Sequence, residues 1–98
     1  MAITALLDLR LRAESVETAA GVLDRILRVT RNRPGSLGVE VLNDITDPTH
    51  LTLVERWESI ADDDAYRAWR ATPEGSSGLA EILSEPPRLW RCDTSATF

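Results

Sequence analysis

The chain of 98 residues holds one cysteine, Cys92, and one histidine, His50. A single thiol excludes an internal disulfide, and no Cys/His set stands at zinc spacing, so neither a metal nor a structural cross-link is expected. Cys92, late in the chain, reads as buried filler in a strand. Long hydrophobic runs are also missing. Nothing approaches the roughly 20 apolar residues that span a bilayer, and the first residues lack a positive stretch followed by an apolar one. The expectation is a soluble, cytoplasmic protein with no membrane association. Positive charge is scarce: eleven basic residues face sixteen acidic ones, for a net charge of −5. No field is available to hold a phosphate backbone, which argues against a nucleic-acid partner. Arg25, Arg28, Arg31 and Arg33 do cluster, but at helical spacing beside Asp24, as a solvated helix face would.

Apolar residues make up 43% of the chain, with Trp57, Trp69 and Trp90 supplying much of the bulk. A chain this short buries only about two-thirds of its unfolded surface. The reading is therefore one small domain over residues 1–98, with 95–98 as a tail, whose modest core a second subunit can complete.

The pattern along the chain alternates between two periods. Ile3, Ala5, Leu7, Leu9 and Leu11 recur at period two, which marks a strand with one buried face. Ser15 is placed as an N-cap, followed by Val16, Ala19, Ala20, Leu23, Ile26, Leu27 and Thr30 at helical spacing. Pro34-Gly35 turns the chain into a strand over residues 36–42. Asn43, Asp44, Asp47 and Pro48 make a loop, and a third strand covers residues 50–57. Ser59 and Asp62 resemble a capping box, and Asp62, Asp63 and Asp64 fit a solvated helix start, where the dipole favours negative charge. That helix is read with Ala65, Tyr66, Ala68 and Trp69 inward, ending near Thr72. Thr72-Pro73 is read as the start of another short helix with Leu79, Ile82 and Leu83 buried, and Pro86-Pro87 ends it. A last strand covers residues 89–93.

The order β-α-β-β-α-β is the ferredoxin-like split arrangement, an α+β fold with a four-stranded antiparallel sheet and both helices on one face. The strands are apolar in both alternation sets, Leu6 beside Leu7 and Leu53 beside Val54. The second face therefore needs a cover, and a second sheet packed face to face supplies one.

Two segments, Pro34-Gly-Ser-Leu-Gly-Val-Glu-Val and Val54-Glu-Arg-Trp-Glu-Ser, resemble the antibiotic biosynthesis monooxygenase family. The likeness extends in element order from Ile3 to Thr94. It implies a homodimeric α/β barrel and, for some members, oxidation of anthrones or hydroquinols by molecular oxygen without a cofactor. Others degrade haem. Such oxygenation suits a substrate that is electron-rich once deprotonated, and it needs a dry pocket favouring the anion. By the resemblance, Trp57 and Tyr66 match a pocket tryptophan and tyrosine. The family's pocket asparagine aligns with Leu53, its second-strand histidine near Leu42 and its late arginine with Ala80. In the haem-degrading branch the expected histidine falls near Leu79, which leaves no axial imidazole.

Trp69 shares a helix face with Tyr66 and reads as core or pocket lining. Glu55 alternates with Leu53 and Trp57 and is the best placed carboxylate for a base, with Arg67 or Arg56 as the partner if it is instead a paired rim charge. His50 is a second candidate base, and Asp8 a weaker one. The expected function is a cofactor-independent monooxygenase acting on a planar phenolic, quinol or polyketide-like molecule. Two other readings stand beside it: a non-catalytic dimer that binds an aromatic small molecule, and an isomerase or cyclase working by proton transfer at Glu55.

Overall fold

A computed structural model describes residues 1–98. The elements run β1 (Ile3–Arg10), α1 (Ala19–Arg31), β2 (Ser36–Asn43), β3 (His50–Trp57), α2 (Ile60–Arg70) and β4 (Arg88–Cys92). They build one antiparallel sheet in the order β2-β3-β1-β4, the ferredoxin-like arrangement that the period changes imply. Register follows from which side chains must be dry. Leu7 pairs with Leu53, Leu9 with Leu51 and Ala5 with Glu55. These odd-numbered positions face the helices and join Leu23 of α1 and Tyr66 of α2 in the core. The even-numbered set, including Leu6, Asp8, His50, Thr52, Val54 and Arg56, occupies the other face.

Several local expectations are corrected. Ser15 does not cap α1. It closes a 3-10 turn over Ala13–Ser15, and its carbonyl accepts from both the amide and the hydroxyl of Thr18, so the α-helix begins only at Ala19. Thr72 does accept from the Gly75 amide at 3.2 Å, as a cap would. No α-helix follows, because Gly75-Ser76-Ser77-Gly78 favours turns, and only a 3-10 segment, Leu79–Ile82, forms. Ile82 and Leu83 are nonetheless buried. In α2 the inward side is Asp63 and Tyr66, while Ala65 and Ala68 are exposed. The acidic run is thus not wholly solvated: Asp63 is fully buried against Arg67 and Arg91. Arg33 likewise leaves the solvated set, its guanidinium lying 4.0 Å over the Trp69 ring. Cys92 is only half-buried, on the face away from the helices.

Ser59 caps α2, its hydroxyl oxygen accepting from the Asp62 amide at 3.1 Å while the hydroxyl donates to the Asp62 carboxylate at 2.9 Å. That carboxylate fills the space beside Gly35, which has φ of +82° and whose carbonyl accepts from the Glu58 amide at 2.8 Å. A Cβ at position 35 would meet both a left-handed backbone and the Asp62 side chain. Gly35→Ala is expected to cost about 1–3 kcal/mol. In a domain of this size each kcal/mol lowers Tm by about 4–8 °C, which a circular dichroism melt would register. An unchanged melt would mean that the turn relaxes freely.

Candidate active site

Between the sheet and α2 lies a cavity of about 130 Å³ whose lining includes Leu53, Glu55, Tyr66, Arg67, Arg70 and Leu79. Strand alternation puts Glu55 there. It stands between Leu53 and Trp57 on the helix-facing side of β3, the strand flanked by β1 and β2, and is only 2% exposed. Burial pushes its carboxyl group above the usual carboxylate range, and the Arg67 cation opposes that shift without cancelling it. Arg67 donates to Oε1 at 2.5 Å, which leaves Oε2 as the oxygen able to accept a proton. The same guanidinium lies 3.1 Å from Asp63, through its Nε. One cation thus serves two buried acids. Arg56, the other possible partner, points to the opposite face and pairs with Glu40.

Tyr66 forms the second part of the site. Its hydroxyl accepts from Arg70 Nε at 2.8 Å and lies 2.7 Å from Thr30 Oγ1. Arg70 also donates to Thr30 Oγ1 at 3.1 Å and to the Ile26 and Gly75 carbonyls. Thr30 in turn donates to the Ile26 carbonyl at 3.3 Å. With Thr30 a donor there, the Tyr66 proton is directed to Thr30 Oγ1. The phenol oxygen is therefore fixed beside a cation, in a chain that ties α1 to α2. Charge-assisted hydrogen bonds of this kind are the stronger class.

Trp57 is fully buried, its ring 4.9 Å from that of Tyr66. Its indole N–H makes no hydrogen bond of normal geometry, yet it lies close enough to Glu55 to favour the ionised carboxylate. Trp69, 6.4 Å from Tyr66, is partly buried and packs under Arg33 and Arg70 without lining the cavity. Glu55, Tyr66 and Leu53 are thus brought together, with Trp57 behind them.

His50 is not part of this group. It lies on the other face of the sheet with Asp8, where both ring nitrogens are taken: Nδ1 by Asp44 at 2.8 Å and Nε2 by Asp8. The Asp44 carboxylate, then Asp8, raises the His50 pKa, while the hydrogen bond from His50 holds the Asp44 carboxyl well below its usual range. A raised histidine pKa contributes stability that is complete below the unfolded value of about 6.5 and is lost as pH climbs through the higher folded one. A depressed aspartate contributes above its unfolded value and loses that contribution as pH falls. Comparing melts of the wild type and His50→Gln from pH 5 to 9 should show the wild type's advantage shrinking above about pH 7; a gap independent of pH would contradict the charged pairing.

Several residues of the site escaped sequence reasoning. Arg70 was signalled by its four-residue spacing from Tyr66, and Asp63 by the same spacing from Arg67. Thr30 gave no sign beyond its place in the apolar stripe of α1.

A sheet backed by two helices, with a small, mostly apolar cavity holding Glu55, Tyr66, Arg67 and Arg70 between the layers, defines the class of the protein. The chain belongs to the antibiotic biosynthesis monooxygenase family, whose model matches residues 2–76. It is similar in fold to a Nitrosomonas europaea protein named for that family, with TM-score 0.81 and 15% identity over 96% of this chain and 90% of the other. A Mycobacterium tuberculosis protein gives TM-score 0.79 and 18% identity over 99% and 98%. A conserved protein of Methanosarcina mazei gives 0.79 and 17% over 94% and 91%. No curated protein matches the sequence. No helix is long and apolar enough to cross a membrane.

Proposed function

We propose that the chain is a cofactor-independent monooxygenase that oxidises a single-ring phenol with molecular oxygen, Glu55 taking the phenolic proton. The observation that carries this reading is a buried carboxylate with a raised pKa on the wall of a cavity one ring in size. The cavity of about 130 Å³ is slightly smaller than the roughly 150 Å³ cavity that binds benzene, so a single ring already fills it and a polycyclic body is disfavoured. Deprotonation gives an electron-rich phenolate, which the Arg67 and Arg70 cations stabilise. The phenolate reduces oxygen; one oxygen atom enters the ring at the para carbon, which loses its hydrogen, and the other leaves as water. Phenol and O₂ thus become quinone and H₂O, with the four electrons taken from the ring. Tyr66 holds Arg70 in place, and Trp57 and Leu53 exclude water.

The test is oxygen uptake by the metal-free protein with single-ring and tricyclic phenols. Turnover confined to the single-ring compounds supports the proposal. Binding without uptake, followed by tryptophan fluorescence, would replace it with the binding protein, and proton exchange at the substrate without uptake would replace it with the isomerase.

The same reading includes a homodimer formed through the open sheet face. Leu6 and Val54 pair across it, and Trp90, opposite Leu6, is 44% exposed. A patch of this kind on a small chain calls for a cover. Sedimentation showing only monomer would remove this part of the proposal.

A further inference from the structure

A larger groove of about 680 Å³ lies between α1 and the β2–β3 hairpin, sharing only Leu27 with the lining of the Glu55 cavity. Its apolar walls come from Leu23 and Leu27 of α1 and Val39, Val41 and Leu51 of the strands. Val41, on edge strand β2, stays 40% exposed on the helix side. The groove follows α1 from Ala19 to Arg31, about 18 Å at the rise of a helix. That shape suits an extended molecule.

Each acid lining the groove has a cationic or histidine partner, although His50 is shared between Asp44 and Asp8. Asp24 is bonded to Arg28 at 2.8 Å, Asp44 to His50 at 2.8 Å, and Asp47 to Arg10 at 3.1 Å and to Thr49. Arg31, at the end nearest β2's start, has no ion-pair or hydrogen-bond partner, and the Asn43 amide at the far end is also free of side-chain bonds. One unpaired cation at the end of a long apolar trough is complementary to one negative charge on a long apolar body. A dianion would be only half neutralised there and would face Asp24 as well.

We infer that this groove binds an elongated apolar monocarboxylate, its chain along Leu23, Leu27, Val39 and Val41 and its carboxylate on Arg31. The site is separate from the Glu55 cavity and stands whether or not the chain oxidises phenols.

The test titrates dodecanoate into the whole chain by calorimetry and by amide chemical shifts, with dodecanol as the uncharged control. Binding is expected to move amides at Leu23, Val39 and Val41. Arg31→Gln should weaken dodecanoate about fivefold and leave dodecanol unchanged, while Val41→Glu should weaken both. Both positions are exposed, so the variants keep the fold. The inference is overturned by no binding at about 1 mM, by shifts centred on Trp57 and Tyr66 or on the open sheet face, or by equal dodecanoate affinity in Arg31→Gln. It is also overturned if Val41→Glu splits a dimer and the wild type ignores dodecanoate, since the groove's occupant is then a second copy.

Discussion

Asp63→Ala should destabilise the chain by about 3–5 kcal/mol, the usual loss when one member of a buried ion pair is removed. Asp63 has no exposed surface and lies 3.1 Å from Arg67 and 3.3 Å from Arg91. It also sits in the first turn of α2, where negative charge is favoured. Small domains hold only about 5–15 kcal/mol in total, so this single change should leave a substantial unfolded fraction in urea concentrations that the wild type tolerates. The neighbouring acid gives the contrast. Asp64 also pairs with Arg91, at 2.5 Å, but its side chain is 62% exposed, and Asp64→Ala should cost only about 0–1 kcal/mol. Equal losses from the two variants in urea melts would show that burial does not set the ranking.

Glu55→Gln should lower kcat/KM for the phenol by about 10²–10⁴-fold, the range general base catalysis supplies, while the isosteric amide oxygen still accepts from Arg67. Glutamine keeps the shape and one acceptor but cannot take a proton. In the wild type, activity needs the ionised carboxylate. Burial has raised its pKa, so kcat/KM should fall, as pH is lowered, through a midpoint above the ordinary glutamate value of about 4.5. Asp63 provides a check on the assignment, because its negative charge helps to raise the Glu55 pKa. Asp63→Asn should therefore move that midpoint to lower pH, since Arg67 would serve Glu55 alone. A variant lacking Glu55 with full activity, or a midpoint that ignores Asp63, would sink the role assigned to Glu55.

The sequence carried the fold well because period-two alternation and turn residues survive in the sheet. His50–Trp57 is the strand that alternation marks, and Glu55 shares its face with Leu53 and Trp57. Parity also held a warning about His50: five residues from Glu55 on one strand, it must point the other way. Where polar residues decide the structure, the pattern failed. Asp63 looks like any first-turn acid, and only tertiary pairing with Arg67 and Arg91 makes it a core residue. Arg33 reads as a surface charge until the tryptophan beneath it is seen, and Arg70 carries no sign beyond its four-residue spacing from Tyr66. The groove beside Arg31 has no linear signature, because it is a gap between elements.

The strand order has a bearing on how fast the chain folds. β1 precedes the other strands, yet it sits inside the sheet between β3 and β4, and its register joins Thr4 to Cys92. Of the strand pairings only the β2–β3 hairpin is local in sequence. The first strand's second neighbour lies far along the chain. Sheet completion therefore rests on non-local pairing, which is slower to form than the helices, built from neighbours.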